Sequence, residues 1–386
     1  MWRVFNKGAD VKKWIGLSGI LAGALIAAGC SDAVSPDHRS LRTPEFATGA
    51  PTGIVLDQQN GKLGDGGTQI WQNFEPTNPH VGDAIVATFV WLGSTNTIES
   101  VTDVLASAPF TPVGNTYTLV DYVTAGGVSM ATYVATNVQN FPDGGTDTDG
   151  SLAVVANFSQ PVSGGILISA WSGVNTVTAQ ALGPHSSALG SGSTATVADP
   201  GSITVGTGGL AYGVTFSNAL VGHDSPTDFA VLADASNDAQ SLSGETVYAL
   251  PASPGSVDPQ WTWLFSAPSS WLATVLTLNP PLHLAFTVQP STTLPFTTMS
   301  PPVQVAALDA YGNPVPSFTG SMTIAIGHNG GMLMPGTLSG TKTVSAVNGV
   351  ATFSDLSIDQ LGHGYTLVVT ASGLNAESTP FNIGPM

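Results

Sequence analysis

The sequence predicts an all-β protein built from antiparallel β-sandwiches. Many short runs of β-branched and aromatic residues are separated by turn residues, which is the pattern of strands joined by tight turns. No stretch of 11 or more residues keeps the 3.6-residue apolar spacing of an amphipathic helix. Only 9% of the residues are charged, whereas 45 are glycine, so the composition is not that of a highly charged, disordered chain.

The clearest strand-like runs lie between residues 51 and 280. They include 83–91 (DAIVATFVW), 128–134 (VSMATYV), 152–158 (LAVVANF), 209–216 (GLAYGVTF) and 271–278 (WLATVLTL). Because no helical segments separate them, we expect these strands to pair antiparallel, as in a sandwich or jelly roll. Residues 51–280 are therefore predicted to form one jelly-roll-like β-sandwich domain.

The first 29 residues have the organisation of a secretory signal peptide. Four basic residues precede an uncharged apolar stretch at 15–28, which is shorter than the roughly 20 apolar residues of a membrane-spanning helix. The stretch ends in LIAAGC at 25–30, which resembles the lipobox of bacterial lipoproteins. This resemblance implies cleavage before Cys30, acylation of its side chain, and anchoring in the bacterial envelope, at the outer membrane or cell surface. Residues 30–50 are predicted to be a flexible tether.

The composition of the processed chain restricts its partners. Cys30 is the only cysteine, so the folded part contains no intramolecular disulfide. Removal of the first 29 residues takes away four of the eight basic residues and one of the 25 acidic residues, which leaves a net charge of about −20. Phosphate binding needs clustered Lys and Arg, so nucleic acid is excluded as a partner. The expected partners are the membrane, through the lipid, and an extracellular glycan or surface protein.

Part of the 51–280 segment resembles a known type of surface module. SVTD at 100–103, GNTYTLV at 114–120, GGVSMATYVA at 126–135 and AWSGV at 170–174 are similar to an uncharacterised sandwich module of bacterial and phage surface proteins. This resemblance carries over no catalytic residue.

The C-terminal segment resembles the bacterial immunoglobulin-like domains of the invasin and intimin kind. The residues that carry the resemblance are LAFTVQP at 284–290, VQVAALDAYGNPV at 303–315, NGVATFSDLSID at 348–359 and GYTLVVTASGL at 364–374. It implies one immunoglobulin-like β-sandwich over residues 281–386, following the jelly-roll-like sandwich. Since such domains are common in adhesins, it also implies an adhesive role. Within VATF, strand alternation predicts that Ala351 and Phe353 share one face.

No catalytic template accounts for this chain. The H-E-x-x-H, G-x-S-x-G, P-loop and C-x-x-C motifs are all missing, and the five glutamates after Cys30 are scattered. We therefore predict a non-enzymatic cell-surface lipoprotein that acts as a binding or adhesion module. Two alternatives stay open: a carbohydrate-active hydrolase whose carboxylates meet only in the fold, and a structural component of the envelope.

The acidic segment DGGTDTDG at 143–150 is the best candidate for a metal site. Calcium prefers six to eight oxygen ligands, and Asp143, Asp147 and Asp149 alternate with residues that let the backbone turn around an ion. A solvated acidic turn is the alternative interpretation. The carboxylates of Asp224, Asp228, Asp234 and Asp238 form a weaker second group.

Two tryptophans are candidates for ligand binding. Trp261 and Trp263 alternate along one predicted strand, so their indoles share a face. On an exposed face they would stack on sugar rings, and on a buried face they would belong to the core of the sandwich. His185 and His223 lie in Gly-, Pro- and Asp-rich segments, where we expect solvated side chains.

Overall fold

A computed structural model describes residues 53–95, 97–107, 110–146, 150–192, 196–206, 208–220, 222–264, 269–309, 312–316 and 318–385. The predicted signal peptide, Cys30 and the tether therefore lie outside the described residues, as do Asp147 and Asp149. Within the described ranges, no helix has the length and apolar character needed to cross a membrane.

Antiparallel strands dominate the described residues, which contain one short helix, and this confirms the predicted all-β sandwich class. The first group, which we call the first module, comprises β1 (Val55–Asn73), β2 (Ala84–Leu92), β3 (Ile98–Leu105), β4 (Thr111–Pro112), β5 (Thr118–Ala125), β6 (Val128–Ala135) and β7 (Leu152–Ser172). The second module follows the four-residue helix α1 (Thr178–Ala181) and comprises β8 (Leu182–Gly192), β9 (Thr196–Ala198), β10 (Ile203–Val205), β11 (Leu210–Ser217), β12 (Gly222–Asp224), β13 (Ala230–Asn237), β14 (Leu242–Ala249), β15 (Gly255–Val257), β16 (Trp261–Leu264) and β17 (Ser269–Leu278).

The C-terminal sandwich is built from shorter strands. They are β18 (His283–Val288), β19 (Val303–Leu308), β20 (Ser321–Ile326), β21 (Leu338–Ser339), β22 (Thr343–Ser345), β23 (Val350–Phe353), β24 (Ser357–Ile358), β25 (Gly362–Tyr365), β26 (Leu367–Ala371), β27 (Leu374–Glu377) and β28 (Phe381–Ile383).

The long strand β7 organises the first module. Its first part pairs with β3 and its second part with β2, while β1 runs along its other side for nearly its whole length. The sheet continues from β2 to β6 and β5. Both faces of β2 and β6 are covered, because alternate residues of each strand belong to two different hydrophobic clusters. A strand buried on both faces reads as a continuous apolar run, which is why these strands are conspicuous in the sequence.

The second module repeats the connectivity of the first. Its main sheet has the order β13-β14-β11-β17-β8, which corresponds to β5-β6-β2-β7-β1, and a smaller sheet of β12-β16-β9 corresponds to β3-β7-β1. The outer hairpin of each module has its register shift at the same step, between Leu119 and Asp121 in one and between Val231 and Ala233 in the other. The sequence LGxG also recurs, at 63–66 in β1 and at 189–192 in β8. We conclude that residues 55–278 contain an internal structural duplication.

The two modules pack against each other through their main sheets. One hydrophobic cluster joins Val86 and Met130 of the first module to Tyr212 and Leu276 of the second. The opposite face of the second main sheet is covered by β16, and Trp261 of that strand lies in a separate cluster there. The small sheet therefore forms an outer layer over the second module.

The C-terminal sandwich has a core of its own. All residues of its hydrophobic cluster come from 284–383, and none of the described clusters combines residues from both sides of 278–284. Ala351 and Phe353 are buried whereas Thr352 is exposed, as the alternation in VATF predicts. The turn after β19 is closed by Asp309, whose carboxylate accepts a hydrogen bond from the Asn313 backbone N–H at 2.9 Å, and Gly312 provides the positive φ of 83°.

Candidate functional site

The second module contains an open cleft of about 700 Å³ beside its small outer sheet. The segment between β12 and β13 forms one wall, and the segment from the end of β14 to β16 forms the other. The lining residues are Val197, Asp224, Ser225, Pro226, Thr227, Asp228, Phe229, Ala249, Leu250, Pro251, Ser256, Val257, Asp258, Gln260 and Thr262. We call this the acidic cleft, because the lining residues that the structure describes include three aspartates and no basic residue.

The polar groups of the acidic cleft are held in place at one end. Gln260 Nε2 donates hydrogen bonds to Asp258 Oδ2 at 2.9 Å and to Asp199 Oδ2 at 3.1 Å. Partial burial, together with the nearby Asp199 carboxylate, raises the pKa of Asp258. Because carboxylates accept hydrogen bonds and Phe229 offers an apolar surface, the cleft suits a neutral or cationic polyhydroxylated ligand and disfavours anions.

A buried carboxylate lies directly beneath the cleft. Glu245 of β14 is only 1% exposed, and it accepts hydrogen bonds from Ser225 Oγ at 2.6 Å and Trp261 Nε1 at 2.8 Å. His223 Nε2 lies 3.5 Å from Glu245 Oε1, and this hydrogen bond raises the pKa of His223. Glu245 and its hydrogen-bond partners support the wall of the cleft, since Ser225 belongs to the lining and Glu245 is buried behind it.

The structure places Trp261 and Trp263 in the core of the second module. Both side chains are fully buried, and the intervening Thr262 is the residue of β16 that faces the cleft. Their burial follows from the position of β16 over the main sheet, where alternate side chains must point inward. Neither indole therefore has an open face on which a sugar could stack.

His223 differs from the sequence expectation of a solvated side chain. Its side chain is only 10% exposed, and its ring lies 5.1 Å from the ring of Trp263. Two predicted acidic residues, Asp224 and Asp228, do line the cleft. Sequence reasoning placed Asp224 and Asp228 in the weaker acidic group, because the opposite wall of the cleft comes from residues about 30 positions away.

The carboxylate of Asp143, in the predicted calcium loop, accepts a hydrogen bond from the backbone. Its Oδ1 accepts a hydrogen bond from the Val81 backbone N–H at 2.8 Å, and the backbone N–H of Asn78 donates to the Gly145 carbonyl at 2.7 Å. The loop is thereby attached to the turn at 79–82 that leads into β2. Since Asp147 and Asp149 lie outside the described residues, the loop's calcium ligation stays a prediction.

The same turn carries a second group of metal-ligating side chains. One ligand atom from each of Asp57, His80 and Asp83 lies within 4.8 Å of the other two. His80 Nδ1 is 3.0 Å from Asp57 Oδ2, and the His80 backbone N–H donates to Asp57 Oδ2 at 2.9 Å and to Asp83 Oδ2 at 3.2 Å. Sequence reasoning missed this group, because Asp57 lies on β1 and is separated from the other two by 23 residues or more.

The electrostatics of this group are unusual. Burial and the adjacent Asp57 carboxyl raise the pKa of Asp83 to about 8. The hydrogen bond to Asp57 also raises the pKa of His80. Among the described residues, the ion pairs of Asp57 and Asp83 include no lysine or arginine, so His80 is the group that can place a positive charge beside the two carboxyls.

Comparison with known proteins identifies no family. No family model matches the chain, and no curated protein matches it. Among solved structures, the chain is similar to the crystal structure of mavirus major capsid protein, with 7% sequence identity over 76% of this chain and 96% of that chain. The TM-score of 0.19 is too low to support any inference about this protein.

Proposed function

We propose that this protein is a non-enzymatic surface lipoprotein that binds an extracellular glycan in the acidic cleft. The observation that carries the proposal is the cleft itself, an open space of about 700 Å³ with carboxylates, an amide and apolar rings on its walls. Binding sites of this size typically combine an apolar lining with a few well-placed polar groups. Sugar hydroxyls donate hydrogen bonds to carboxylates, and the apolar faces of sugar rings pack on side chains such as Phe229.

The proposal of binding without chemistry rests on the position of the glutamate. Glu245 is the most conspicuous carboxylate near the cleft, but it is 1% exposed and hydrogen-bonded on both oxygens. A general acid must come within hydrogen-bond reach of the bond it cleaves, and Glu245 does not. The exposed Asp228 and Asp258 are the residues through which the alternative, a carbohydrate-active hydrolase, would act.

The location of the protein is part of the same proposal. The apolar stretch at 15–28, the LIAAGC sequence and the sole cysteine support export and acylation at Cys30. Several acyl chains would hold the protein stably in the envelope, whereas a single chain binds only marginally. Membrane fractionation of cells producing the wild type and Cys30→Ser tests this, and unchanged partitioning of the variant would refute lipidation.

Glycan-array binding of the chain 31–386 tests the cleft. We expect Asp258→Asn and Phe229→Ala to weaken binding at least tenfold, because each removes a group that faces the ligand. Asp238→Asn is the matched control, since it makes the same charge change on an exposed turn of the same module, outside the cleft lining. Equal binding by all four proteins would overturn the proposal. Release of reducing ends that disappears in Asp258→Asn would replace it with hydrolysis.

A second candidate function is contact through the C-terminal sandwich. The segment between β20 and β21 exposes three consecutive apolar side chains, Met332, Leu333 and Met334, and Leu333 is 95% exposed. Leu361, whose carbonyl accepts a hydrogen bond from the Met332 N–H at 3.0 Å, is also exposed. Clustered exposed apolar residues are typical of protein-contact sites. Cells displaying the whole chain should adhere less to a protein-coated surface when Leu333 is replaced by Ser, and unchanged adhesion would exclude this contact.

A further inference from the structure

We propose that Asp57, His80 and Asp83 form a binding site for one divalent transition-metal ion, for which Zn²⁺ is the best-fitting candidate. The site belongs to the first module and is independent of the acidic cleft in the second. It also differs from the calcium loop predicted at 143–150, since its donor set contains a nitrogen. Imidazole favours zinc and its neighbours in the transition series, whereas calcium takes oxygen ligands alone.

The geometry is close to that of a coordination shell. Zinc bonds of roughly 2.0–2.2 Å place tetrahedral ligand atoms about 3.3–3.6 Å apart. His80 Nδ1 and Asp57 Oδ2 are 3.0 Å apart, and all three candidate ligand atoms lie within 4.8 Å of one another. Small side-chain rotations therefore bring them around one ion. The His80 side chain is 63% exposed, which gives an ion access and leaves room for a water ligand.

The burial of Asp83 is the observation that points to a cation. Asp83 is only 3% exposed, and its carboxylate accepts a long hydrogen bond from the His80 backbone at 3.2 Å. Its other close polar neighbour is the Asp57 carboxyl, and two ionised carboxylates can only accept hydrogen bonds from other groups. Among the described residues, neither aspartate forms an ion pair with lysine or arginine. Burial of the Asp83 carboxyl beside the partly buried Asp57 carboxyl is costly unless a proton or a cation lies between them.

The backbone around the site is held in position before any ion binds. Asp57 lies on β1, and Asp83 immediately precedes β2. The Asp83 carbonyl accepts a hydrogen bond from the Val138 N–H at 3.0 Å, and Gly82 N–H donates to the Val138 carbonyl at 2.9 Å. Asn78 is fully buried and donates to the carbonyls of Pro142 and Gly150. Such preorganisation reduces the entropic cost of assembling a metal site.

Asp143 contacts the backbone of the turn that carries two of the ligands. Its hydrogen bond to the Val81 N–H fixes the turn between His80 and Asp83. Asp143 of the acidic loop therefore supports the turn that carries His80 and Asp83.

The test is titration calorimetry on the chain 31–386, purified without a histidine tag and stripped with chelator. We expect one Zn²⁺ per chain, binding at least tenfold tighter than Ca²⁺. Asp83→Asn and His80→Ala should each weaken zinc binding at least tenfold. His80 is exposed, so His80→Ala will fold and keeps the test decisive even if Asp83→Asn does not. His185→Ala, which removes another exposed histidine, is the matched control and should bind zinc like the wild type.

Three results would overturn the proposal. The first is the lack of saturable zinc binding near one ion per chain. The second is zinc binding that persists undiminished in His80→Ala. The third is calcium binding tighter than zinc binding and insensitive to His80→Ala, which would place the cation on the 143–150 loop. Glycan binding by the cleft is measured separately, so failure of the metal site does not affect it.

Discussion

Replacement of Glu245 by glutamine tests the buried support of the acidic cleft. The substitution keeps the shape of the side chain but removes its charge and turns one acceptor oxygen into an NH₂ group. Glu245 accepts two short hydrogen bonds, from Ser225 Oγ at 2.6 Å and from Trp261 Nε1 at 2.8 Å. The glutamine can still accept from the indole N–H, because the Ser225 hydroxyl can rotate to accept from the new NH₂ group.

The expected loss follows from the strength of these bonds. Hydrogen bonds to charged groups contribute roughly 1.5–3 kcal/mol each, against about 0.5–1.5 kcal/mol for neutral ones. Exchange of two charged bonds for two neutral ones should lower the free energy of unfolding by about 2 kcal/mol. For a domain of roughly 150–250 residues, this corresponds to a Tm decrease of about 4–8 °C. Glu245→Ala should cost more, since it leaves the indole N–H without an acceptor.

Urea denaturation followed by tryptophan fluorescence is the appropriate assay. All tryptophans after Cys30 lie between residues 71 and 271, so the signal reports on the two modules and not on the C-terminal sandwich. Glu99→Gln makes the same chemical change at an exposed position on β3 and should stay within about 0.5 kcal/mol of the wild type. The reasoning is refuted if Glu245→Gln is equally silent, or if Glu99→Gln is as destabilising.

Three further predictions concern pH, a close approach of two strands, and the separate core of the C-terminal sandwich. The hydrogen bond to Glu245 raises the pKa of His223 above its unfolded value of 6.5. The stability that this interaction contributes is therefore complete below pH 6.5 and is lost as the pH rises through the pKa of the folded protein. Tm should fall as the pH rises through that interval, and it should fall less steeply in His223→Gln. Gly164→Ala should destabilise by about 1–3 kcal/mol, because the new Cβ would lie 2.0 Å from the Val90 carbonyl oxygen; Gly222→Ala, whose nearest neighbour is a side chain at 3.8 Å, should be nearly neutral in the same urea titration. Phe353→Ala should destabilise the C-terminal sandwich by about 3–5 kcal/mol on calorimetric scanning, and a simultaneous shift in the tryptophan transition would show that the cores do not unfold separately.

Much of the fold could be predicted from the sequence, because a strand that is buried on both faces appears as a local run of apolar residues. β2, β6, β11 and β17 are covered on both faces, so each reads as an apolar run that no loop would contain. β1 and β8 were not predicted from the sequence, because they are rich in Gly, Ser and polar residues. They pair with β7 and β17, and their composition leaves little hydrophobic signature in the sequence.

The internal duplication was also not predicted from the sequence. Equivalent positions such as Val90 and Phe216 share a place in the sheet but not an amino acid, since many apolar residues satisfy the same packing requirement. Apart from the short LGxG recurrence, the repeat is visible in the strand order and in the matching register shifts of the two outer hairpins.

The sequence by itself determined the all-β class, the scarcity of positive charge and the features that predict export at Cys30, because each depends on composition or on neighbours along the chain. The tertiary structure decided which side chains of the candidate sites lie together and which are buried. It brought Asp57 to His80 and Asp83 by pairing β1 with β7 beside β2, and it buried Trp261 and Trp263 by placing β16 over a second sheet. Alternation along a strand tells which side chains share a face, but only the neighbouring layer determines whether that face meets solvent or the core.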